Sequence, residues 1–402
     1  MSDPATPSDG ETEGQGDSVE RHASWLELFF DLVVVVAVAQ LAHLLAGHGG
    51  AHATVHDMIE FVVLYLAIWL LWLSFTLYAN VAGEATRYQS MIVGMAGIAV
   101  MAAAIPEATG ERGRVFALAY ILTRVASTRS WGRTGKVLLT WTAAQRSAGL
   151  VPWIVSLWVE QPAQFRLWIA GVVIDLWFSV ASGRDPDRAA QRYTDVARRH
   201  EQRAWRRGRL PEVGRFRLTF VEPDRPHLGE RLGLFVIIVL GEAVAQIVSI
   251  AAGTDWTWQL VGAGTAGFLL VIGMWGLSFE YGFGSRSALP TALLLPAHFA
   301  AIASITSVAA GIGMAVTHPT EHLPAVSRAV LCGGVSVFLF AVALFRAPRR
   351  GLPIQLALVA LPAVPAALGW ALSAGALPWL LVPVIGGQLA YFRWALPADS
   401  AA

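Results

Sequence analysis

Apolar stretches of roughly 20 residues, nearly free of charge, follow one another along this chain, and arginine collects in the short segments between them. Backbone polar groups must all be satisfied internally in hydrocarbon, so such stretches fold as membrane-spanning helices. On a rule of about 20 apolar residues per span, helices are expected near 26–46, 57–79, 88–106, 114–128, 147–160, 165–182, 231–252, 258–281, 288–317, 325–346, 352–374 and 377–396. The fourth and fifth are short and polar, and re-entrant or surface placement of that pair would reduce twelve to ten. Only 14% of the 402 residues are charged, against roughly 25% in a soluble domain. The fold expected is therefore all-α, a polytopic integral membrane protein of about twelve transmembrane helices.

Arginine supplies the orientation. Cytoplasmic connections attract Lys and Arg. With the N-terminus inside, the cytoplasmic segments hold Arg21, Arg87, the group Arg129, Arg133 and Lys136, twelve arginines in 183–230, Arg286, the group Arg346, Arg349 and Arg350, and Arg393. The opposite segments hold Arg112, Arg114, Arg166 and Arg328. Both termini are thus expected in the cytoplasm and the protein in the bacterial inner membrane. Residues 1–20 are acidic and lack an apolar cluster, which predicts a disordered tail rather than a cleaved signal.

A repeat organises the spans. Ala37-Val38-Ala39-Gln40-Leu41 recurs as Ala243-Val244-Ala245-Gln246-Ile247, and Leu73-Ser74-Phe75 recurs as Leu277-Ser278-Phe279. Six spans separate the copies, so the halves run the same way, as in parallel-repeat transporters. The expected domains are a six-helix half at 21–182, an Arg-rich cytoplasmic loop at 183–229 and a second six-helix half at 230–396. The loop is either a solvated linker that enforces topology or a surface for anionic lipid, and no reader fold for nucleic acid accompanies it.

Ionisable groups within hydrocarbon are functional candidates because burying them is costly. Glu242 falls near the midplane of the seventh span and Gln246, four residues on, shares its face; the pair suits a cation or a proton relay. The bland alternative is a protonated or hydrogen-bonded packing residue. Glu27 and Asp31 share one face near the cytoplasmic end of the first span, where Arg124 and Arg146 are possible ion-pair partners. Asp175, mid-way along the sixth span, is a further candidate. His43, His48, His52 and His56 read as a polar external loop, since Gly49-Gly50 interrupts any helix that would align them for a metal. Trp25, Trp131, Trp256, Trp258 and Trp394 stand at span ends and suit interfacial anchoring. No zinc signature, phosphate loop, dinucleotide fingerprint or nucleophile elbow occurs, so no enzyme activity, cofactor or metal is expected. The lone Cys332 excludes an intrachain disulfide.

Two stretches carry a family resemblance. Glu27-Leu28-Phe29-Phe30-Asp31-Leu32-Val33 resembles the opening motif of the low temperature requirement A (LtrA) family, and Glu230-Arg231-Leu232-Gly233-Leu234-Phe235-Val236-Ile237-Ile238-Val239-Leu240-Gly241-Glu242 resembles its second signature. Val34 and Leu232 stand where the family often has Phe. The resemblance implies a multi-pass bacterial membrane protein, named for a growth phenotype, whose acids map onto Glu27, Asp31, Glu230 and Glu242; it implies no particular substrate. Two functional expectations follow. The first is transport of a cation or a proton-coupled solute. The alternative is a non-transporting stress or scaffold protein acting through the basic loop.

Overall fold

The computed structural model describes residues 22–47, 53–138, 141, 145, 147–184, six positions between 188 and 199, 219–282, 289–346 and 351–395. Local capping starts the helices. Ser24 and Glu27 form a reciprocal capping box that opens α1 (Trp25–Ala46), and Thr54 with Asp57 does the same for α2 (Val55–Ala82). Gly47 and Gly83 close these helices at φ of 94° and 61°, a backbone region open to glycine and strained for other residues. The chain continues with α3 (Tyr88–Ala104), α4 (Gly113–Gly132), a short α5 (Leu150–Val155) and α6 (Ala163–Arg184). After the short strand Thr219–Val221 come α7 (Arg225–Ala252), α8 (Trp258–Tyr281), α9 (Thr291–Thr317), α10 (Ala325–Arg346), α11 (Leu352–Ala360), α12 (Ala363–Leu368) and α13 (Ala376–Ala395).

Among the described residues nine helices are long and apolar enough to cross a membrane. Helix α4 is long enough, but Arg114, Arg124 and Arg129 keep it below that hydropathy. The fifth expected span is corrected. Helix α5 and its 3-10 extension Ser156–Trp158 cover about 14 Å at 1.5 Å per residue, half a hydrocarbon core. The eleventh is broken rather than continuous, with Pro362 between α11 and α12. The seventh begins six residues earlier than expected. Asp224 accepts the His227 amide as N-cap and Pro226 occupies the first turn, so the helix already runs through Glu230 and Arg231. Trp131 is also corrected: it is buried and donates to the Ser74 carbonyl at 3.2 Å, whereas Trp25, Trp256, Trp258 and Trp394 are exposed.

Helices α2 and α9 are the most enclosed and form the centre. Helix α1 packs on α2, α3, α7 and α9; α7 packs on α8 and α9; α3 lies on α4 and α9 on α10. The α9–α10 crossing is close because Gly311 faces Leu331, where an added Cβ would come within 2.6 Å of the leucine side chain. Strand β1 (Lys136–Leu138) pairs in parallel with β2 (Thr219–Val221), tying the chain after α4 to the segment before α7. Most of the expected Arg-rich loop lies outside the described residues.

Candidate functional site

The two motifs quoted above, some 200 residues apart, meet. The capping box aims one Glu27 oxygen back at the Ser24 amide (2.8 Å) and leaves the other against Arg231 Nη1 at 3.1 Å. One turn on, Asp31 receives a two-pronged contact from Arg231: Nη2 donates to Oδ1 at 2.7 Å and Nε to Oδ2 at 3.2 Å. Planar guanidinium suits this geometry. The Trp72 indole N–H of α2 donates to the same Oδ1 at 2.7 Å, and its ring stacks on Phe235 and on His298, with centroids 4.5 and 5.4 Å away. Glu27, Asp31 and Arg231 are all at most 1% exposed. Two carboxylates therefore share one guanidinium in a buried interior, the arrangement in which loss of a partner is most costly.

A second layer orients the first. The Asp224 backbone amide donates to Asn80 Oδ1, and Asn80 Nδ2 donates back to the Asp224 carbonyl, both at 2.9 Å. That pairing settles the amide orientation, so Nδ2 also donates to His227 Nδ1 at 3.1 Å. The remaining ring nitrogen, Nε2, faces Glu27 Oε2 at 3.5 Å. Glu230 turns the other way, accepting from the Ala23 amide at 3.2 Å at the start of α1, where the helix terminus favours negative charge. Trp72→Phe, which keeps an aromatic ring but deletes the N–H and part of the buried ring volume, should lower stability by about 1.5–3 kcal/mol for the hydrogen bond to a charged group, with the cavity left behind adding to that loss. Thermal unfolding in detergent measures it, and an unchanged midpoint would mean that the indole does not hold Asp31.

Arg124 does not join this cluster. It sits between α4 and α6, with Nη2 3.5 Å from Asp175 Oδ2 and Nη1 donating to the Leu70 carbonyl at 3.3 Å. Asp175 accepts the Gly149 amide at 2.8 Å, which holds the start of the half-length α5 on α6. The expected pairing of Arg124 with Glu27 or Asp31 is thus corrected, because depth along the bundle normal says nothing of azimuth around it. Arg146 lies outside the described residues.

Glu242 occupies a different environment. It is half-buried on α7, about 5 Å beyond the helix midpoint, and Gln246 Nε2 donates to it at 3.4 Å. Both line a cavity of about 430 Å³ between the C-terminal turns of α1, α7 and α9. His43 and His318 also line it, while His56 faces Glu60 at 3.8 Å; His48 and His52 lie outside the described residues. Eleven residues separate Arg231 from Glu242, about 16 Å and within 20° of one face. Phe235 and Ile238 occupy that face between them.

Arg231, His227, Asn80 and Trp72 were missed by reading the sequence for acids alone. The available signal was a pair of matched spacings: acids at 27 and 31, bases at 227 and 231, each pair one helical turn apart.

No solved structure matches the chain. An uncharacterised protein of Rhizobium meliloti (strain 1021) is 26% identical over 297 residues, 67% of this chain and 64% of that relative, so the match spans less than two thirds of the relative's own length. The family model described as bacterial low temperature requirement A protein matches residues 22–390, nearly the whole chain, with both motifs and the Glu27–Asp31–Arg231 cluster inside it. The chain therefore belongs to the bacterial low temperature requirement A (LtrA) family.

Proposed function

We propose that the protein is a carrier that moves a small cation or a proton-coupled solute across the bacterial inner membrane, with both termini cytoplasmic and Glu242 in the path. The observation that carries this reading is a carboxylate inside a membrane helix that lines an open cavity and, among the described residues, takes its one side-chain hydrogen bond from an amide. Sealed and fully satisfied packing would have argued for a structural acid instead.

Two parallel six-helix halves suit such a carrier, and three likenesses support them. In each half the first helix packs on the second and third, and the third on the fourth. The fifth span is interrupted in both, as half-length α5 and as broken α11–α12. A buried polar link joins fifth to sixth in both: Gly149 to Asp175, and Gln355 to Gln388 through two amide bonds of 3.2 and 3.0 Å. Between the halves, the polar ties from α1 and α2 to α7 gather at the N-terminal end of α7, and the cavity lies at the other end. On the proposed topology the bundle is latched on the cytoplasmic side by Arg231 and open outward at Glu242. Alternating access then requires the Arg231 latch to part. The scaffold alternative rests on residues 183–229, most of which lie outside the described residues.

Proteoliposomes test the carrier. Vesicles with trapped pH and sodium indicators should dissipate an imposed proton or sodium gradient faster with the protein than without it. Glu242→Gln should slow this by about tenfold or more, equal to about 1.4 kcal/mol, while inserting and melting like the parent. Equal rates in parent and variant would remove Glu242 from the path and end the carrier reading.

A further inference from the structure

The cavity at Glu242 has a chemistry more specific than a site for any cation. Among the described residues its only acidic lining residue is Glu242 and no Lys or Arg lines it, so an anionic ligand would face the carboxylate with only the imidazoles of His43 and His318 to answer it. A bare metal ion fits no better. Among the described residues no three His, Cys, Asp or Glu side chains converge to hold one, and hard cations ask for six or more oxygen ligands. At about 430 Å³ the space is within the range of small-molecule sites, about 300–1,000 Å³, and far larger than a dehydrated ion.

The walls divide by helix. Glu242, Gln246 and Ser249 make a polar stripe on α7 at spacings of four and three residues, which places them on one face. Opposite, α9 presents Ala310, Gly313 and Met314, a wall of small groups and one polarisable thioether. Such a space can hold a positive head against the carboxylate and an apolar body against α9, without asking the ligand to shed a strongly held hydration shell.

We propose that this cavity binds a small organic cation, an ammonium-bearing solute with an apolar body, whose charged end pairs with Glu242. The inference rests on the carrier reading of the same site and names its substrate class.

Radiolabelled tetraethylammonium is the probe, used in equilibrium dialysis with the full-length protein in nanodiscs. Saturable binding at one per chain is expected, weakened about tenfold or more by Glu242→Gln and not displaced by equal concentrations of sodium or potassium ions. Ala310→Leu, which enlarges the nearly buried α9 wall and leaves the carboxylate in place, should weaken binding as well in protein that inserts and melts like the parent. Absence of saturable binding, or equal binding by parent and Glu242→Gln, overturns the inference. Displacement by sodium or potassium on equal terms also overturns it and leaves the carrier reading intact as a bare-cation pathway. Binding as described, with neither tetraethylammonium uptake nor gradient dissipation in proteoliposomes to which tetraethylammonium is added, supports the organic-cation site and removes the carrier reading.

Discussion

Arg231→Met should destabilise the protein by about 3–5 kcal/mol, because it strands Glu27 and Asp31 together in a buried interior without the guanidinium that bridges them. The size of the effect comes from what remains, not from the worth of the pair. That distinction makes a ranking. Asp31→Asn should cost much less, since Glu27 and Arg231 still balance one against one. The triple change Arg231→Met with Glu27→Gln and Asp31→Asn should recover much of the loss, as buried ionic groups replaced together by neutral groups of similar shape often do. Thermal unfolding of the four proteins in one detergent reads the order. An Arg231→Met protein that melts with the parent would show that the cluster does not hold α1 on α7.

Gly149→Ala should cost about 3 kcal/mol or more, at the upper end of overpacking. A methyl group there would run into the Gly171 carbonyl oxygen, and Gly171 cannot retreat, since its own Cβ position lies 2.5 Å from the Trp153 ring. Trp153 is in turn stacked on Trp168, with centroids 5.1 Å apart, and wholly buried. The same substitution at Gly333, mid-way along α10 with open space around it, should be neutral or stabilising by up to about 1 kcal/mol through helix propensity. Opposite signs for one chemical change separate crowding from propensity. If both variants melt alike, the α5–α6 contact is looser than its geometry implies, and α5 is not held where the Gly149–Asp175 bond places it.

Much of the architecture could be read without coordinates, for an elementary reason. A span is a local property: about 20 apolar residues in a row suffice, and each expected span contains helix. The departures came where local rules compete. Asp224 and Pro226 moved the start of α7 outward, and hydropathy alone carries no capping information. The fifth span looked marginal because it is polar and short, and it proved to be half a helix held by one carboxylate.

The family motifs, the acidic positions within the spans and the helical character were all settled by composition and spacing along the chain, since each needs only neighbours within a few turns. Which acid meets which base was settled by packing. Asp31 pairs with Arg231 across 200 residues and Arg124 with Asp175 across 51, and no periodicity encodes the angle at which two helices present their faces. The cavity at Glu242 belongs to the same class of fact: it is the space left between α1, α7 and α9, and a void has no sequence.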